Sequence, residues 1–293
     1  MPALAQLRER TDLVGVVTQP DRPAGRGHKL QPTPVKAFAL AHGLPVFEPL
    51  KLRAFAADLA ALEPDVLVVA SYGRIVPQAI LDVPARGIAF NIHPSLLPLY
   101  RGATPLQTAI RDGARETGIT IMAMDAGMDT GDILVQERTP LGADETYGAL
   151  HDRLAARGAE LLAVAIEALE RGTLLRIPQA ESNPPVDPGE IARTATHPLG
   201  KDDLRVDFGW PAQRIVDTIR SLAPAPGARA TLEGEAVKIV RARLAHAGEP
   251  AFTTDGGMLV RAGDGAAVAV LDVVPPNRGR MSGAAYGRSV QLA

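Results

Sequence analysis

Gly87-Ile88-Ala89-Phe90-Asn91-Ile92-His93-Pro94 is the stretch that decides the fold of this chain. Its apolar residues predict a buried strand, and the proline, which cannot donate to a sheet ladder, ends that strand directly after the histidine. Side chains alternate between the two faces of a strand, so Asn91 and His93 lie on the same face. The stretch therefore predicts an amide donor and a titratable base side by side at the end of a strand.

Further strands are predicted on both sides of this one, with helices between them. Because buried parallel strands are continuous apolar runs, this alternation favours an α/β domain with a mostly parallel sheet. Prolines and glycines in residues 19–27 predict a loop without helix or strand. The predicted strands cover residues 12–18, 65–70, 87–93 and 118–124, and the predicted helices cover residues 35–43, 50–62 and 146–170.

The pattern changes after residue 180. Residues 182–189 contain three prolines and one glycine, which predicts a linker. Beyond the linker, short strands separated by turns are typical of a small β-barrel or sandwich. We expect a helix over residues 211–222 and strands over residues 236–244, 257–262 and 266–274. The predicted organisation is a domain over residues 1–180, a linker over residues 181–203 and a C-terminal domain over residues 204–293.

The composition is that of an ordinary globular protein. The 293 residues are 46% hydrophobic and 22% charged, and none of them is cysteine. The lack of cysteine excludes a disulfide framework, a thiolate nucleophile and a cysteine-ligated metal site. No uncharged apolar run is long enough to span a membrane, and residues 1–10 lack the pattern of a secretory signal, so we expect a cytoplasmic protein.

A local basic segment lies in a chain whose net charge is only −2. Residues 22–36 contain no acidic residue, and the segment suits the binding of phosphate groups. A solvated loop is the alternative, and it is the more common explanation of a run of charges. The cationic residues of the segment are Arg22, Arg26, His28, Lys29 and Lys36.

Residues 125–132 form an acidic stretch, punctuated by glycines, that could bring a carboxylate to His93. Histidine, carboxylate and amide together suit acyl transfer to an amine, which needs a proton acceptor, a group that orients it and a donor for the oxyanion. Taken singly, the histidine is more often structural and the aspartates more often stabilise a turn. The spacing does not match a calcium loop, so we expect no metal. Ser95 lacks the Gly-x-Ser-x-Gly context of a serine hydrolase.

Three motifs together resemble the folate-dependent formyltransferases. They are Asn-Ile-His-Pro-Ser-Leu-Leu-Pro at 91–98, Tyr-Arg-Gly-Ala-Thr-Pro-Leu-Gln at 100–107 and Asp-Ala-Gly-Met-Asp-Thr-Gly-Asp at 125–132. Residues 18–30 are similar to the insertion loop of the members that act on initiator tRNA. The resemblance covers nearly the whole chain and is strongest over residues 14–150. It implies a Rossmann-like catalytic domain followed by a small OB-like β-barrel that contacts tRNA.

The resemblance also implies a reaction and a site. The formyl donor would be 10-formyltetrahydrofolate, and the acceptor would be the α-amino group of methionine on initiator tRNA, with a monomeric enzyme and no metal. Asn91 would hold the formyl oxygen, His93 would manage the proton, and Asp129 would orient His93. The residues that would border the folate are Tyr72, Gly73, Ile75, Ser95, Leu96, Leu97 and Pro98.

The tRNA contacts implied by the resemblance lie in two parts of the chain. Arg26 would approach the acceptor end, together with the other cations of the basic segment. In the C-terminal domain, Arg241 and Arg243 alternate in phase on a predicted strand, whereas Lys238 does not, so a single basic face does not follow from the sequence. Scattered arginines on a protein surface are the alternative. The predicted tRNA-binding residues are Arg22, Arg26, His28, Lys29, Lys36, Arg241 and Arg243.

The beginning of the chain departs from the family pattern. Family members begin with a strand and a glycine-threonine-proline loop, whereas residues 1–7 start inside the helix that follows. We expect that the true start lies upstream or that the chain is a truncated form, and that the 293-residue chain is poorly stable and weakly active or inactive. The alternatives are a formyltransferase for an amino sugar or glycinamide ribonucleotide, a formyltetrahydrofolate hydrolase, and a tRNA-binding relative without turnover.

Overall fold

The computed structural model describes residues 1–24 and 29–291. These residues form two compact units, and the chain passes between them several times. The first unit consists of Met1–Ala103, Gly118–Arg138 and Arg153–Ala195. The second consists of Thr104–Thr117, Thr139–Asp152 and the described part of Thr196–Ala293. No helix within the described residues is both long and apolar enough to cross a membrane.

The described strands that precede residue 94 are short, with two to five residues each. The α-helices are α1 (Pro2–Arg10), α2 (Pro34–Ala41), α3 (Ala56–Ala60), α4 (Gln78–Leu81), α5 (Pro105–Arg111), α6 (Tyr147–Glu170), α7 (Pro188–Thr194), α8 (Ala212–Leu222) and α9 (Gly283–Gln291). The strands are β1 (Val16–Val17), β2 (Arg22–Ala24), β3 (Lys29–Gln31), β4 (Val46–Phe47), β5 (Leu67–Val69), β6 (Ala89–His93), β7 (Glu116–Ala123), β8 (Ile133–Pro140), β9 (Ala228–Leu232), β10 (Glu235–Leu244), β11 (Met258–Arg261), β12 (Ala267–Val274) and β13 (Met281–Ser282).

The first unit is an α/β structure, as the alternating sequence pattern predicts. Strands β1 and β4 pair in parallel, and so do β5 and β6. The sheet continues from β6 to an antiparallel β7 and then to β8. Among the described residues, no strand joins the β1 and β4 pair to the sheet of β5 to β8. The parallel pairs are the Rossmann-like part of the domain, and the antiparallel neighbour of β6 was not predicted.

Two local predictions in this unit need correction. Residues 19–27 are not wholly a loop, because β2 and β3 form a two-stranded antiparallel ribbon in which Pro23 lies opposite Leu30. A proline is tolerated there because an edge strand can leave its missing N–H on the solvent side. The predicted helix over residues 50–62 is a 3-10 turn over Leu52–Phe55 followed by the short α3. By contrast, the predicted helix over residues 146–170 is confirmed as α6.

Apolar side chains hold β5 and β6 in place. Phe55, Leu59 and Ile80 are buried and pack in one cluster with Ala89 of β6. Each fully buried side chain of this size contributes about 1.5–3 kcal/mol relative to exposure. Since β6 carries Asn91 and His93, this cluster fixes the strand on which the predicted site is built.

The second unit contains an antiparallel sheet that packs against α8. The strands run in the order β11, β12, β10, β9, with β13 on β12, and the described strands do not close into a ring. Apolar residues of α8 recur every three or four positions, and Ile215, Ile219 and Leu222 are buried against the sheet. Tyr286 of α9 is fully buried in the same core. The predicted helix over residues 211–222 and the three predicted strands are therefore confirmed in type.

Candidate active site

Strand β6 places Asn91 and His93 on one face of the sheet. Asn91 pairs with Met122 of β7, and His93 pairs with Thr120 two residues away, so the predicted alternation holds. His93 is buried, with only 3% of its surface exposed, and Asn91 is half-buried. The strand therefore brings the amide and the imidazole into one place, as period-2 phasing predicts.

Asp129 reaches the same place from the loop between β7 and β8. Its Oδ2 lies 3.6 Å from Nδ1 of His93 and accepts a hydrogen bond from the Gly102 backbone N–H at 2.8 Å. Nδ2 of Asn91 donates to Oδ1 of Asp129 over 3.5 Å, which is a long contact. The three residues predicted to act together are therefore neighbours in the structure.

The ring of His93 has an oxygen acceptor on each side. Nε2 lies 3.0 Å from the backbone oxygen of Tyr100, while Nδ1 faces the Asp129 carboxylate. A neutral imidazole has one N–H, so it can satisfy only one of these oxygens. Burial lowers the pKa of His93, whereas Asp129 and the Tyr100 carbonyl act in the opposite direction. The result is an imidazole that is mainly neutral at pH 7, with acceptors already placed for a second proton, which suits a group that receives and returns a proton.

A polar network behind Asp129 was not predicted from the sequence. Gln179 is buried and donates from Nε2 to the backbone oxygens of Asp129 and Gly131, each at 2.8 Å. Its side-chain oxygen accepts from Arg101. Arg101 lies in a motif that marks the family resemblance, but no pattern around residue 179 points to the loop about fifty positions before it. Only the tertiary structure reveals this contact.

The residues predicted to border the folate divide into buried and exposed groups. Leu96 and Leu97 are buried, and the Ser95 hydroxyl donates to the Leu99 carbonyl at 2.7 Å, so these side chains are occupied by the protein interior. Contacts to a ligand from this segment would therefore come from the main chain. Pro98, after Leu97, is buried as well.

The other predicted folate residues follow β5. Ile75 is 83% exposed, and Gly73 has a φ of +72° that favours glycine. The Tyr72 hydroxyl is buried and has no hydrogen-bond partner among the described residues, although a buried polar atom normally has one.

Among the described residues, no cluster of three or more histidine, aspartate or glutamate side chains is placed to hold a metal.

The predicted basic segment is only partly free to bind phosphate. Arg22 donates to the Gln19 side chain at 2.6 Å and is exposed. Lys36 bonds to Asp21 at 2.8 Å and also to Glu48, and these carboxylates raise the pKa of Lys36. A phosphate would have to compete with both. Arg26 and His28 lie outside the described residues, as does the side chain of Lys29, whose backbone lies in β3.

The two C-terminal arginines predicted to bind tRNA are both in ion pairs. Arg241 contacts Asp272 at 2.9 Å, with 56% of its side chain exposed. Arg243 is less exposed and contacts Glu249 at 2.7 Å and Asp255 at 2.9 Å. Their positive charges are therefore partly neutralised within the protein.

A β-bulge in β10 changes the phase of this surface. The pairing of β10 with β12 shifts before Arg241 and shifts back after it, so each of the two strands accommodates one extra residue there. Lys238, which is out of phase with Arg241 by simple alternation, thereby faces outward with it, while Ile239 and Val240 are buried. The sequence pattern alone missed this, because alternation fails wherever a bulge adds a residue.

Three cations lie side by side on this outward face. Lys238 pairs with Arg229 of β9, and Arg229 forms a β-bridge with Arg205. No carboxylate among the described residues forms an ion pair with any of the three. Like charges in directly opposed positions are destabilising, and an anionic ligand would relieve that repulsion. We call Arg205, Arg229 and Lys238 the cationic row.

The chain matches two protein-family models over most of its length. Residues 2–166 match the family described as formyl transferase, and residues 198–291 match the formyl transferase C-terminal domain. A protein of Pseudomonas putida (strain W619) named methionyl-tRNA formyltransferase is 46% identical over 259 residues, covering 86% of this chain and 80% of that protein. A Xylella fastidiosa (strain M23) protein of the same name is 46% identical over 241 residues, covering 82% of this chain and 76% of that protein.

A solved structure has a similar fold. It is the N-formyltransferase from Helicobacter canadensis in complex with folinic acid and dTDP-3-aminofucose. The TM-score is 0.66, and the match covers 92% of this chain and 93% of that one. At 18% sequence identity, the likeness concerns the fold alone.

Proposed function

This chain belongs to the formyltransferase family, and we propose that it transfers a formyl group from 10-formyltetrahydrofolate to the α-amino group of methionyl initiator tRNA. The observation that carries the proposal is the 46% identity to relatives named methionyl-tRNA formyltransferase over most of both chains. The grouping of Asn91, His93 and Asp129 supports it, because these side chains suit acyl transfer to an amine. The enzyme is a cytoplasmic monomer in this proposal.

The roles of the three residues follow from their donors and acceptors. The methionine nitrogen attacks the formyl carbon, and the carbonyl oxygen gains negative charge in the tetrahedral intermediate. Asn91 donates from Nδ2 to that oxygen. His93 takes the proton that the amine loses and returns it to the folate nitrogen as the bond between carbon and that nitrogen breaks. Asp129 orients the imidazole and stabilises its protonated form.

The folate pocket is built in this proposal from two segments that follow strands. Tyr72, Gly73 and Ile75 come after β5, and residues 95–98 come after β6. Loops at the carboxyl ends of parallel strands are the usual place for ligands in such sheets. The buried Tyr72 hydroxyl supports the assignment, because a bound ligand could give it a hydrogen-bond partner.

The tRNA is held at two places in this proposal. Residues 22–36 approach the acceptor end, with Arg26 as the main contact. The C-terminal domain, over residues 204–293, is OB-like and is joined to the catalytic domain of residues 1–180 by a linker. It binds the tRNA backbone through one of its faces. Arg241 and Arg243 lie on that face, and the cationic row supports the assignment because it has no carboxylate partner among the described residues.

A formyl-transfer assay tests the proposal. Purified protein is incubated with 10-formyltetrahydrofolate and methionyl-tRNA, and formylmethionyl-tRNA and tetrahydrofolate are measured. His93→Ala lowers kcat on the order of 10²–10⁴-fold, the usual contribution of a general acid or base. Arg26→Ala raises the KM for tRNA and leaves the site for the formyl donor intact. His42→Ala is the control, since His42 is an exposed residue at the end of α2.

Each alternative gives a different product. Release of formate without a formylated amine would indicate a hydrolase. Formylation of an amino sugar in preference to tRNA would indicate another member of the family. Salt-dependent binding of tRNA without any release of tetrahydrofolate would indicate a relative without turnover. Full activity in His93→Ala would overturn the assigned mechanism.

A further inference from the structure

The side-chain amide of Gln179 uses its full hydrogen-bonding capacity behind the candidate site. Its oxygen accepts from Nε and Nη2 of Arg101 at 2.9 and 2.6 Å. Its nitrogen donates to the backbone oxygens of Asp129 and Gly131, both at 2.8 Å. An amide has two N–H donors and two acceptor positions, so these four bonds saturate it. If the amide were flipped, its N–H groups would face the Arg101 donors, and its oxygen would face the carbonyl oxygens of Asp129 and Gly131.

On one side, Gln179 holds the loop that carries Asp129. The two carbonyls that it binds lie on either side of Thr130, and Asp129 itself has a φ of +54°. This left-handed conformation costs a residue other than glycine on the order of 1 kcal/mol, so it persists only where the surroundings hold it. The Gln179 amide is part of those surroundings.

Through its oxygen, Gln179 also holds residues 100–102, which lie against the Nε2 side of the His93 ring. Arg101 lies between Tyr100, whose oxygen faces Nε2 of His93, and Gly102, whose N–H donates to Asp129. One amide therefore joins the two segments that confine the imidazole. A displacement of Gln179 would move the acceptors on both sides of the ring.

We propose that Gln179 is a positioning residue for formyl transfer, which holds the Asp129 carboxylate against His93 in the geometry that the reaction needs. The inference rests on the proposed function, since it assigns Gln179 a part in that reaction. Gln179 acts through Asp129 and not on the reacting atoms. Enzymes are sensitive to such support, because a misplacement of about 1 Å can lower a rate on the order of 10²-fold.

Two variants separate positioning from general structural support. Gln179→Glu keeps an oxygen for Arg101 but replaces the two N–H donors by an acceptor, which repels the carbonyls of Asp129 and Gly131. Gln179→Met has a similar length and removes all four hydrogen bonds without adding charge. The matched control is Gln78→Glu, because the Gln78 amide also donates to a neighbouring group but does so on the exposed surface of α4.

The measurements are kcat, KM for the formyl donor, thermal stability and the titration of His93 by NMR. We expect kcat to fall on the order of 10²-fold in Gln179→Glu, with a small change in KM and a preserved fold. In Gln179→Met the pKa of His93 falls further, because the Asp129 carboxylate that raises it has moved away. In an Asp129→Asn background, Gln179→Glu causes little additional loss, since both changes act through one group.

Several results would overturn the inference. These are a folded Gln179→Glu protein with the wild-type kcat, an unchanged His93 titration in folded Gln179→Met, and losses from Gln179→Glu and Asp129→Asn that simply add. Unfolding of Gln179→Glu would also overturn it, because the residue would then be structural. If the wild-type protein formylates nothing, the proposed function fails, yet the His93 titration still tests the link between Gln179 and Asp129.

Discussion

His93 shows how burial and hydrogen bonding oppose each other at a single residue. Removal from water disfavours the charged imidazolium and lowers its pKa, while two oxygens at the ring nitrogens favour it. The candidate site therefore holds a base whose neutral form predominates near pH 7. Its protonated form needs no rearrangement of neighbours, since both acceptors are already in position.

The lowered pKa of His93 makes stability depend on pH. The unfolded chain takes up this proton near the ordinary value of about 6.5, whereas the folded protein resists it, so protonation favours unfolding. We expect the free energy of unfolding to fall as the pH drops below about 6.5, with a slope from this group of at most about 1.4 kcal/mol per pH unit. Urea unfolding at pH values from about 5 to about 8 measures this slope. His93→Gln should flatten the slope while His42→Gln should not, and an unchanged slope in His93→Gln would refute the explanation.

At the scale of the helix, α8 combines an apolar face with a buried ion pair. Arg220 contacts Asp217 at 2.7 Å, one turn earlier, and both side chains are almost fully buried. The guanidinium also donates to the backbone oxygens of Gly142, Glu145 and Ile110. One side chain thus satisfies carbonyls from two other segments of the second unit.

Removal of this cation should be costly. Arg220→Met leaves the Asp217 carboxylate buried without its partner, and we expect a loss of about 3–5 kcal/mol in the free energy of unfolding. The double variant Arg220→Met with Asp217→Leu should recover part of the loss, because no charge remains buried. Denaturant unfolding measures both. The control is Arg157→Gln, which breaks exposed pairs with Glu137 and Glu160 and should cost about 1 kcal/mol or less. Equal losses of unfolding free energy in Arg220→Met and Arg157→Gln would contradict the prediction.

For the whole molecule, the distribution of charge says more about the binding of an anion than the net charge does. The net charge is only −2, yet the cationic row carries three positive charges without a carboxylate partner among the described residues. Arg243, by contrast, is balanced by Glu249 and Asp255. A polyanion would bind more favourably to the cationic row than to Arg243, because binding to the row breaks no ion pair among the described residues.

Binding of tRNA at different salt concentrations tests this difference. Arg229→Gln and Lys238→Gln should each weaken binding and reduce the slope of log affinity against log salt by about one, the effect expected for one phosphate contact. Arg243→Gln should have a smaller effect. Filter binding or fluorescence titration from low to moderate salt measures the slopes. If Arg243→Gln weakened tRNA binding more than Arg229→Gln and Lys238→Gln do, the phosphate contact would be assigned to Arg243, as predicted from the sequence, and not to the cationic row.

Local patterns predicted much of the fold but not its irregular parts. The helices α6 and α8 follow from apolar residues at helical spacing, and β6 follows from an apolar run that a proline ends. The ribbon of β2 and β3 was missed because its proline argued against a strand. The bulge in β10 was missed because the sequence around Arg241 carries no sign of the extra residue.

The sequence by itself determined that Asn91 and His93 share a face, because alternation along a strand is a property of the backbone. It also determined the family, through motifs that lie close together in the chain. Only the tertiary structure decided that the Tyr100 carbonyl lies against His93 and that Gln179 supports the loop of Asp129. The Gln179 contacts join segments far apart in the sequence through hydrogen bonds of one side chain, and no local period encodes which distant carbonyl a buried amide will meet.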